Sequence, residues 1–171
     1  MIARVAMNHV RDRPRVLLFL LMLTGAACSS CSGSRSVPLR VTARTVEDTV
    51  VLKQTPTATY FDVTGIVRND DSREIKVASC TTEAERDIDG TWTVVFTPAC
   101  PVDGFLNPLL PGDSLVVPVH AAGYTNAFPQ LDPRMTAGRY RLVFGVFASD
   151  SQNSAFASVA QRQVSTPFTV K

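Results

Sequence analysis

One strongly alternating segment, residues 137–147, most constrains the fold that this chain can adopt. Within it, large apolar side chains recur at every second position: Tyr140, Leu142, Phe144 and Val146. Side chains of an extended strand point alternately to its two faces, so these four share one face. Burial of that face requires a second layer of structure, and the rest of the chain offers short strands to build it.

Short β-branched and aromatic runs separated by turn residues continue from residue 38 to the end. No run with helical spacing exceeds two turns, and the clearest alternating segments are residues 39–44, 59–69, 74–79, 92–96, 115–119 and 166–170. Asp89-Gly90 favours a tight hairpin, and Pro118 indicates an edge strand or a bulge. About seven strands joined by short turns predict an all-β fold, an antiparallel sandwich.

Residues 49–53 form a further short segment with two interpretations. It is either a separate strand or a continuation of the first strand onto the other sheet, after a kink at Glu47-Asp48.

Residues 1–27 have the composition of a removable secretory signal. Basic residues up to Arg15 precede an apolar run of about a dozen residues, and small residues follow up to Ala27. A membrane-spanning helix needs ~20 apolar residues, so this run is too short for one. Either Met1 or Met7 is the start of the chain.

The charge balance changes once this leader is set aside. It holds four of the 17 basic and one of the 15 acidic residues, which leaves 13 basic and 14 acidic residues and a net charge of −1. A chain without a basic surface is not expected to bind nucleic acid. No cofactor motif is apparent, and a metal site needs more cysteine and histidine ligands than the mature chain offers.

The leader ends in Gly25-Ala26-Ala27-Cys28, which resembles the lipobox of bacterial lipoproteins. That resemblance implies that Cys28 is lipidated, becomes the mature N-terminus and holds the chain on the extracytoplasmic side of a bacterial membrane. In a cell with two membranes, the lack of an acidic residue at position 29 favours the periplasmic face of the outer membrane. The alternative is an ordinary signal peptide, cut after Ala27 or nearby, and a secreted protein.

Residues 28–37 are rich in serine and predict a short flexible tether, followed by one domain at residues 38–171. Cys31 lies in the tether, where it is a free thiol, an alternative lipidation site or incidental. Cys80 and Cys100 are predicted to form a disulfide, because exported chains reach an oxidising compartment. Closing that loop of about twenty residues is worth roughly 3 kcal/mol in the chain-entropy model.

Turn and core motifs between residues 39 and 171 look like those of bacterial immunoglobulin-like domains in small secreted and lipid-anchored proteins. They are Asn69-Asp70-Asp71-Ser72, Cys80, Asp89-Gly90-x-Trp92, Cys100-Pro101, Leu110-Pro111-Gly112-Asp113-Ser114 and Gly138-x-Tyr140-Arg141-Leu142. The pattern is more distantly similar to the bacterial intracellular proteinase inhibitor family, which has the same order of turns and strands. The resemblance implies an immunoglobulin-like sandwich, with Tyr140 placed as in a tyrosine corner.

Two polar features are interpreted as structural. His120 is the only histidine after the leader, and the alternation of its strand sends it to the solvent-facing side. No nucleophile-elbow pattern accompanies it, so we expect a protein that is not an enzyme. Glu83, Glu85, Asp87 and Asp89 alternate along one segment, which we interpret as a solvated hairpin arm rather than a Ca²⁺ site.

The weakly charged loop at residues 121–136 contains Tyr124, Phe128 and Leu131. These side chains are candidate contacts for a partner if exposed, or they fold back to cap the core. The predicted function is therefore a lipid-anchored, non-enzymatic domain that binds an unknown protein or envelope component. The alternative, suggested by the distant resemblance, is a protease inhibitor that acts through its end loops.

Overall fold

The computed structural model describes residues 38–100, 106–148 and 161–171, and the regular secondary structure in these ranges is entirely β. None of the described segments is a helix long and apolar enough to cross a bilayer. The strands are β1 (Val41–Thr45), β2 (Thr49–Val50), β3 (Lys53–Gln54), β4 (Ala58–Asn69), β5 (Ile75–Ile88), β6 (Thr91–Phe96), β7 (Leu106–Leu109), β8 (Ser114–Tyr124), β9 (Gly138–Ala148), β10 (Gln161–Val164) and β11 (Phe168–Val170).

The predicted leader, tether and lipidated Cys28, together with Cys31, lie outside the described residues and stay predictions. Within the described part of the chain there are eleven strands rather than about seven. β2 and the start of β3 lie within the predicted segment 49–53, whereas β7 and β10, with four residues each, were not predicted. Segments this short contain too few positions for an alternating pattern to be recognised in the sequence.

The strands form two open sheets, as expected for a sandwich-like fold. In the four-stranded sheet, β8 pairs with β4 along one whole side, while β1 and β3 pair with the two ends of the other side. The seven-stranded sheet has the order β2-β11-β9-β5-β6, in which β10 also pairs with β9 and β7 also pairs with β5. All pairings are antiparallel except that of β2 with β11.

The chain changes sheets at Glu47-Asp48, so the second interpretation of residues 49–53 is correct for β2. β1 belongs to the four-stranded sheet, and β2 pairs in parallel with β11 in the other sheet. The Glu47 carboxylate accepts hydrogen bonds from the backbone nitrogen of Thr64 at 2.8 Å and from its hydroxyl at 3.1 Å. These bonds hold the kink against the middle of β4.

The core lies between the facing sides of β4, β8, β9 and β11. The four apolar side chains of the alternating segment are fully buried there, which confirms the prediction for β9. The ring of Tyr140 packs at 5.2 Å from that of Phe61 and at 6.0 Å from that of Phe168. Aromatic rings in this range add stabilisation beyond the area that they bury.

A long irregularity interrupts β5 close to residue 79, where the predicted strand 74–79 ends. Ala78 pairs with Gly145 and Glu83 pairs with Val143, so residues 79–82 bulge out opposite a single residue of β9. The Thr81 hydroxyl donates a hydrogen bond to the carbonyl oxygen of Ala78, and that of Thr82 to Ser79. The bulge lets one strand continue where the alternation in the sequence stops.

Cys80 lies in this bulge and forms the predicted disulfide with Cys100, which follows β6. The bridge closes a 20-residue separation that contains the second half of β5 and all of β6. The hairpin between these two strands turns at Asp89-Gly90, where both residues have positive φ, 52° and 83°. Asp and Gly tolerate that region best, which explains their place at this turn.

Tyr140 is held at the entrance of β9 by its hydroxyl, which donates a hydrogen bond to the carbonyl oxygen of Thr136 at 2.5 Å. Burial raises the pKa of Tyr140 to about 12 from its ordinary value of 10.0. We expect Tyr140→Phe to lower the free energy of unfolding by about 1 kcal/mol at pH 7, because the Thr136 carbonyl loses its donor.

The same substitution tests the raised pKa. Neutral Tyr140 stabilises the fold fully below pH 10, and this contribution is lost as the pH rises towards the folded-state pKa near 12. Urea unfolding between pH 9 and 12 should therefore show a smaller loss of stability in Tyr140→Phe than in the wild type. Equal alkaline losses in both proteins would contradict the assignment, and Tyr60→Phe, on the outer face of the four-stranded sheet, is the matched control.

Candidate functional site

The candidate partner-contact loop was predicted at residues 121–136, but residues 121–124 belong to β8, so the loop spans residues 125–137 between β8 and β9. It is fixed to the sandwich at its base. The backbone nitrogen of Tyr124 donates to the carbonyl oxygen of Pro129 at 3.0 Å, and that of Leu131 donates to Tyr124 at 2.9 Å. A Cβ on Gly123 would lie 2.7 Å from the Cα of Leu131, so only glycine permits this close approach. The loop is thus a folded element with a defined apex.

The three predicted contact residues have different environments. Phe128, which precedes Pro129 in a cis peptide bond, is 72 % exposed at the apex of the contact loop. Leu131 is partly buried and packs against the core, and Tyr124 is also partly buried. Leu131 therefore caps the core, which was one of the two interpretations. Phe128 is the exposed residue that is free to contact a partner, and Tyr124 precedes the loop and is only partly buried.

A cleft of about 260 Å³ separates the contact loop from β6. Its walls are residues 94–96 of β6 on one side and Phe128, Pro129 and Gln130 on the other. In the described ranges β6 pairs only with β5, so its second edge faces this cleft. Exposed aromatic surface beside a free strand edge can bind an extended peptide or an apolar side chain of a partner.

Asp132 and Arg134 fix the far side of the contact loop. Their side chains form an ion pair at 2.6 Å, and hydrogen bonds from Arg134 lower the pKa of Asp132 below its ordinary value. The Arg134 guanidinium also donates to the carbonyl oxygen of Val94 at 3.4 Å. This links the loop directly to the edge of β6.

A second polar group lies on the outer face of the four-stranded sheet, around His120. Its side chain is 55 % exposed, as predicted, and its Nδ1 lies 2.7 Å from an Asp62 carboxylate oxygen. Lys53 contacts the same carboxylate at 3.1 Å. Hydrogen bonds from His120 and then Lys53 lower the pKa of Asp62.

The sequence alone does not reveal the acid beside His120. Asp62 and His120 are directly opposite each other on β4 and β8, a register that strand alternation alone does not reveal. A triad also requires a nucleophile. Among the described residues, Asp62 is the one side chain hydrogen-bonded to His120, and the nearby Thr64 hydroxyl is bonded to Glu47.

The acidic segment of β5 is not a solvated hairpin arm, and that interpretation is wrong. Glu85 is 5 % exposed and pairs with Arg141 at 2.6 Å and Arg162 at 2.7 Å. The Arg141 guanidinium also lies 4.4 Å from the ring centre of Trp92. β5 lies inside its sheet, so Glu83, Glu85 and Asp87 pair with arginines of β9 and β10, while Asp89 is exposed at the hairpin turn. In the part of the chain that the structure describes, no group of three or more acidic, cysteine or histidine side chains could hold a metal ion.

No family model matches the chain, and no curated protein matches it. Among solved structures, the chain is similar to the β-glucosidase EmGH1 from Erythrobacter marinus, at 17 % identity and a TM-score of 0.38 over 78 % of this chain and 15 % of that one. It is also similar to a β-glucosidase from Listeria innocua in complex with gluconolactone, at 13 % identity and a TM-score of 0.32 over 77 % and 16 % of the two chains.

The chain thus spans about one sixth of the length of these enzymes. Likeness at such TM-scores assigns neither a fold family nor an activity. The contacts themselves define the class: an all-β, sandwich-like protein with one disulfide and a single exposed aromatic side chain on a fixed loop among its described residues.

Proposed function

We propose that this chain is a lipid-anchored, non-enzymatic immunoglobulin-like domain that binds a protein or envelope component on the extracytoplasmic side of a bacterial membrane. The observation that carries the binding role is Phe128, a residue that is 72 % exposed on a loop with a fixed base. A rigid, exposed aromatic side chain loses little conformational freedom when a partner covers it. For that reason aromatic residues dominate binding energy in many interfaces.

The immunoglobulin-like assignment is supported by two features. The first strand continues onto the second sheet, where β2 runs parallel to the last strand β11. The hydroxyl of Tyr140 is bonded to a carbonyl four residues upstream, as in a tyrosine corner. The disulfide differs from that of antibody domains, because Cys80–Cys100 joins a bulge in β5 to the end of β6.

The position of the contact loop suits a tethered binding domain. β1 begins opposite Asn69 at one end of β4, while β8 ends opposite Ala58 at the other end. These ends of β4 are about 36 Å apart at 3.3 Å per residue. A chain anchored ahead of residue 38 would therefore present Phe128 at the end away from its tether. The outer membrane is the favoured location in a cell with two membranes, since position 29 is not acidic.

The anchor is tested by metabolic labelling with radioactive palmitate. Wild-type protein should incorporate label, and Cys28→Ala should lose it while Cys31→Ala keeps it. Labelling that persists in Cys28→Ala and disappears in Cys31→Ala would move the anchor to Cys31. No labelling of the wild type would reject the anchor in favour of a secreted protein.

The binding role is tested with a photo-crosslinking amino acid at position 128 in cells. We expect one discrete adduct, which excess wild-type domain competes away and a Phe128→Ser domain competes away about thirtyfold less well, as for a contact worth roughly 2 kcal/mol. Position 110, where Leu110 is 56 % exposed on a different turn, is the matched control. Equal adducts from both positions, or equal competition by both domains, would contradict a contact role for Phe128.

The alternative function, a protease inhibitor, would use the same loop. The two backbone hydrogen bonds at its base favour this candidate, because inhibitors present a loop that changes little on binding. Purified domain is assayed against a panel of serine, cysteine and metalloproteases. Inhibition below micromolar concentration that Phe128→Ser abolishes would favour the inhibitor, and no inhibition at micromolar concentration would remove it.

A further inference from the structure

We infer that the start of β1 and the adjoining outer face of the four-stranded sheet dock on anionic phospholipid headgroups. This inference rests on the proposed lipid anchor at Cys28. The surface, called the β1 patch here, consists of Arg40, Thr42, Arg44, Arg68 and Ser114.

The β1 patch contains the two described arginines whose guanidinium groups contact no described carboxylate or backbone carbonyl. Seven of the nine described arginines place their guanidinium groups on a carboxylate or a backbone carbonyl: Arg68, Arg73, Arg86, Arg134, Arg139, Arg141 and Arg162. Arg40 and Arg44, both exposed, have no such partner among the described residues. Their charges are therefore available to an external anion.

Strand register brings hydroxyl groups beside these charges. Thr42 of β1 and Ser114 of β8 are both directly opposite Arg68 of β4, so the three side chains form one row on the outer face. The Arg44 side chain occupies the next row. A shallow depression of about 270 Å³ is lined by Thr42, Arg44, Arg68 and Ser114. Guanidinium and hydroxyl donors in one depression match the oxygens of a phosphate group.

Exposed apolar side chains adjoin the β1 patch on the same face. Val116, directly opposite Ile66, is 60 % exposed, and Val46, which follows β1, is 53 % exposed. A site for a small free anion gains nothing from exposed valines. A surface that combines basic and apolar side chains suits the boundary between headgroups and acyl chains.

The charge distribution of the sequence agrees with a membrane-facing start of the domain. Between Cys28 and Val46 there are three arginines, Arg35, Arg40 and Arg44, and no acidic residue, although the chain after the leader has a net charge of −1. Arg68 contributes less than the others, since Asp70 pairs with it at 3.1 Å. Basic residues beside a membrane anchor are attracted to anionic lipid by about 1 kcal/mol each.

The tether is short enough for this attraction to act. A flexible tether of ten residues, as predicted for 28–37, would reach at most about 35 Å when fully extended and would have a root-mean-square length of roughly 17 Å. The β1 patch follows the predicted tether directly in the sequence, so an anchor at Cys28 would keep it within that reach of the headgroups. Phe128 lies at the other end of β4 and stays accessible when the patch is docked.

The test uses a chain of residues 29–171, which lacks the leader and Cys28. It should fold by itself, because the buried core lies within residues 50–170. Cosedimentation is measured with vesicles of phosphatidylglycerol and phosphatidylcholine and with vesicles of phosphatidylcholine alone. We expect binding to the anionic vesicles only, decreasing with salt, and about 25-fold weaker for the double variant Arg40→Gln/Arg44→Gln, at about fivefold per arginine.

The matched control is Arg139→Gln/Lys76→Gln, which removes the same charge from the seven-stranded sheet and should reduce binding by less than twofold. Equal binding to both vesicle types, or an equal loss in both double variants, would overturn the inference. So would binding of inorganic phosphate at the patch, seen by NMR shifts of Thr42 and Arg44, without vesicle binding. A dimer in solution that Val116→Glu dissolves would assign this face to a second copy instead.

The two proposals fail separately. The vesicle assay contains no lipidated residue, so a negative palmitate result with positive vesicle binding would reject the anchor and keep the β1 patch. A positive palmitate result with no preference for anionic vesicles would keep the anchor and reject the patch.

Discussion

Replacing both Cys80 and Cys100 by alanine should lower the free energy of unfolding by roughly 3 kcal/mol, the value expected for a closed loop of about twenty residues. The disulfide ties the end of the β5–β6 hairpin to the bulge in β5. Without the bridge, the unfolded chain gains freedom while the hydrogen bonds of the hairpin remain. The measurement is urea unfolding followed by Trp92 fluorescence, since Trp92 lies on β6 within the loop.

Reduction of the wild type provides the control for this result. Wild type in dithiothreitol should unfold at about the midpoint of the double variant, and the double variant itself should not respond to the reductant. Cys31→Ala, which leaves the bridge intact, should unfold like the wild type. A change below about 1 kcal/mol in the double variant would contradict the loop-closure argument.

Asn69→Ala should lower the free energy of unfolding by a similar amount, roughly 3 kcal/mol, because several buried backbone groups lose their partners together. The Asn69 side chain is fully buried at the end of β4. Its Nδ2 donates to the carbonyl oxygens of Arg73 at 2.8 Å and Leu109 at 2.9 Å, and its Oδ1 accepts from the backbone nitrogen of Asp71 at 2.9 Å.

The matched control for this position is Asn126→Ala, an exposed asparagine in the contact loop, which should change stability by less than about 0.5 kcal/mol. Asn69→Asp retains the acceptor but loses both donors, so we expect it to be as unstable as Asn69→Ala at pH 7. Thermal and urea unfolding of all three variants check this order. An Asn69→Ala protein as stable as Asn126→Ala would mean that water satisfies the freed groups.

Features coded by neighbouring residues were predictable from the sequence. The inward face of β9, the Asp89-Gly90 turn, the kink at Glu47-Asp48 and the Cys80–Cys100 bridge each depend on a local pattern or on residue type. The turn at Asn69 was recognised as polar. The structural role of Asn69 was not predictable, because it depends on a hydrogen bond to the distant carbonyl oxygen of Leu109.

Features that depend on which strands become neighbours were missed. The burial of Glu85 between two arginines follows from the pairing of β5 with β9 and of β9 with β10, and the Asp62–His120 contact follows from the register of β4 with β8. Alternation assigns a side chain to a face but does not say what lies opposite. Likewise, low charge made the contact loop a candidate, but only its folded backbone separates exposed Phe128 from partly buried Leu131.

The pairing of β8 with β4 has a mechanical consequence. The two strands are paired over eleven consecutive register positions, and β1 pairs with β4 at the end where β8 begins. Tension between an anchor ahead of residue 38 and a partner at Phe128 would run parallel to these strands and load their hydrogen bonds in shear. Bonds loaded in shear must break together, so a pull along these strands would meet more resistance than a pull that peels them apart.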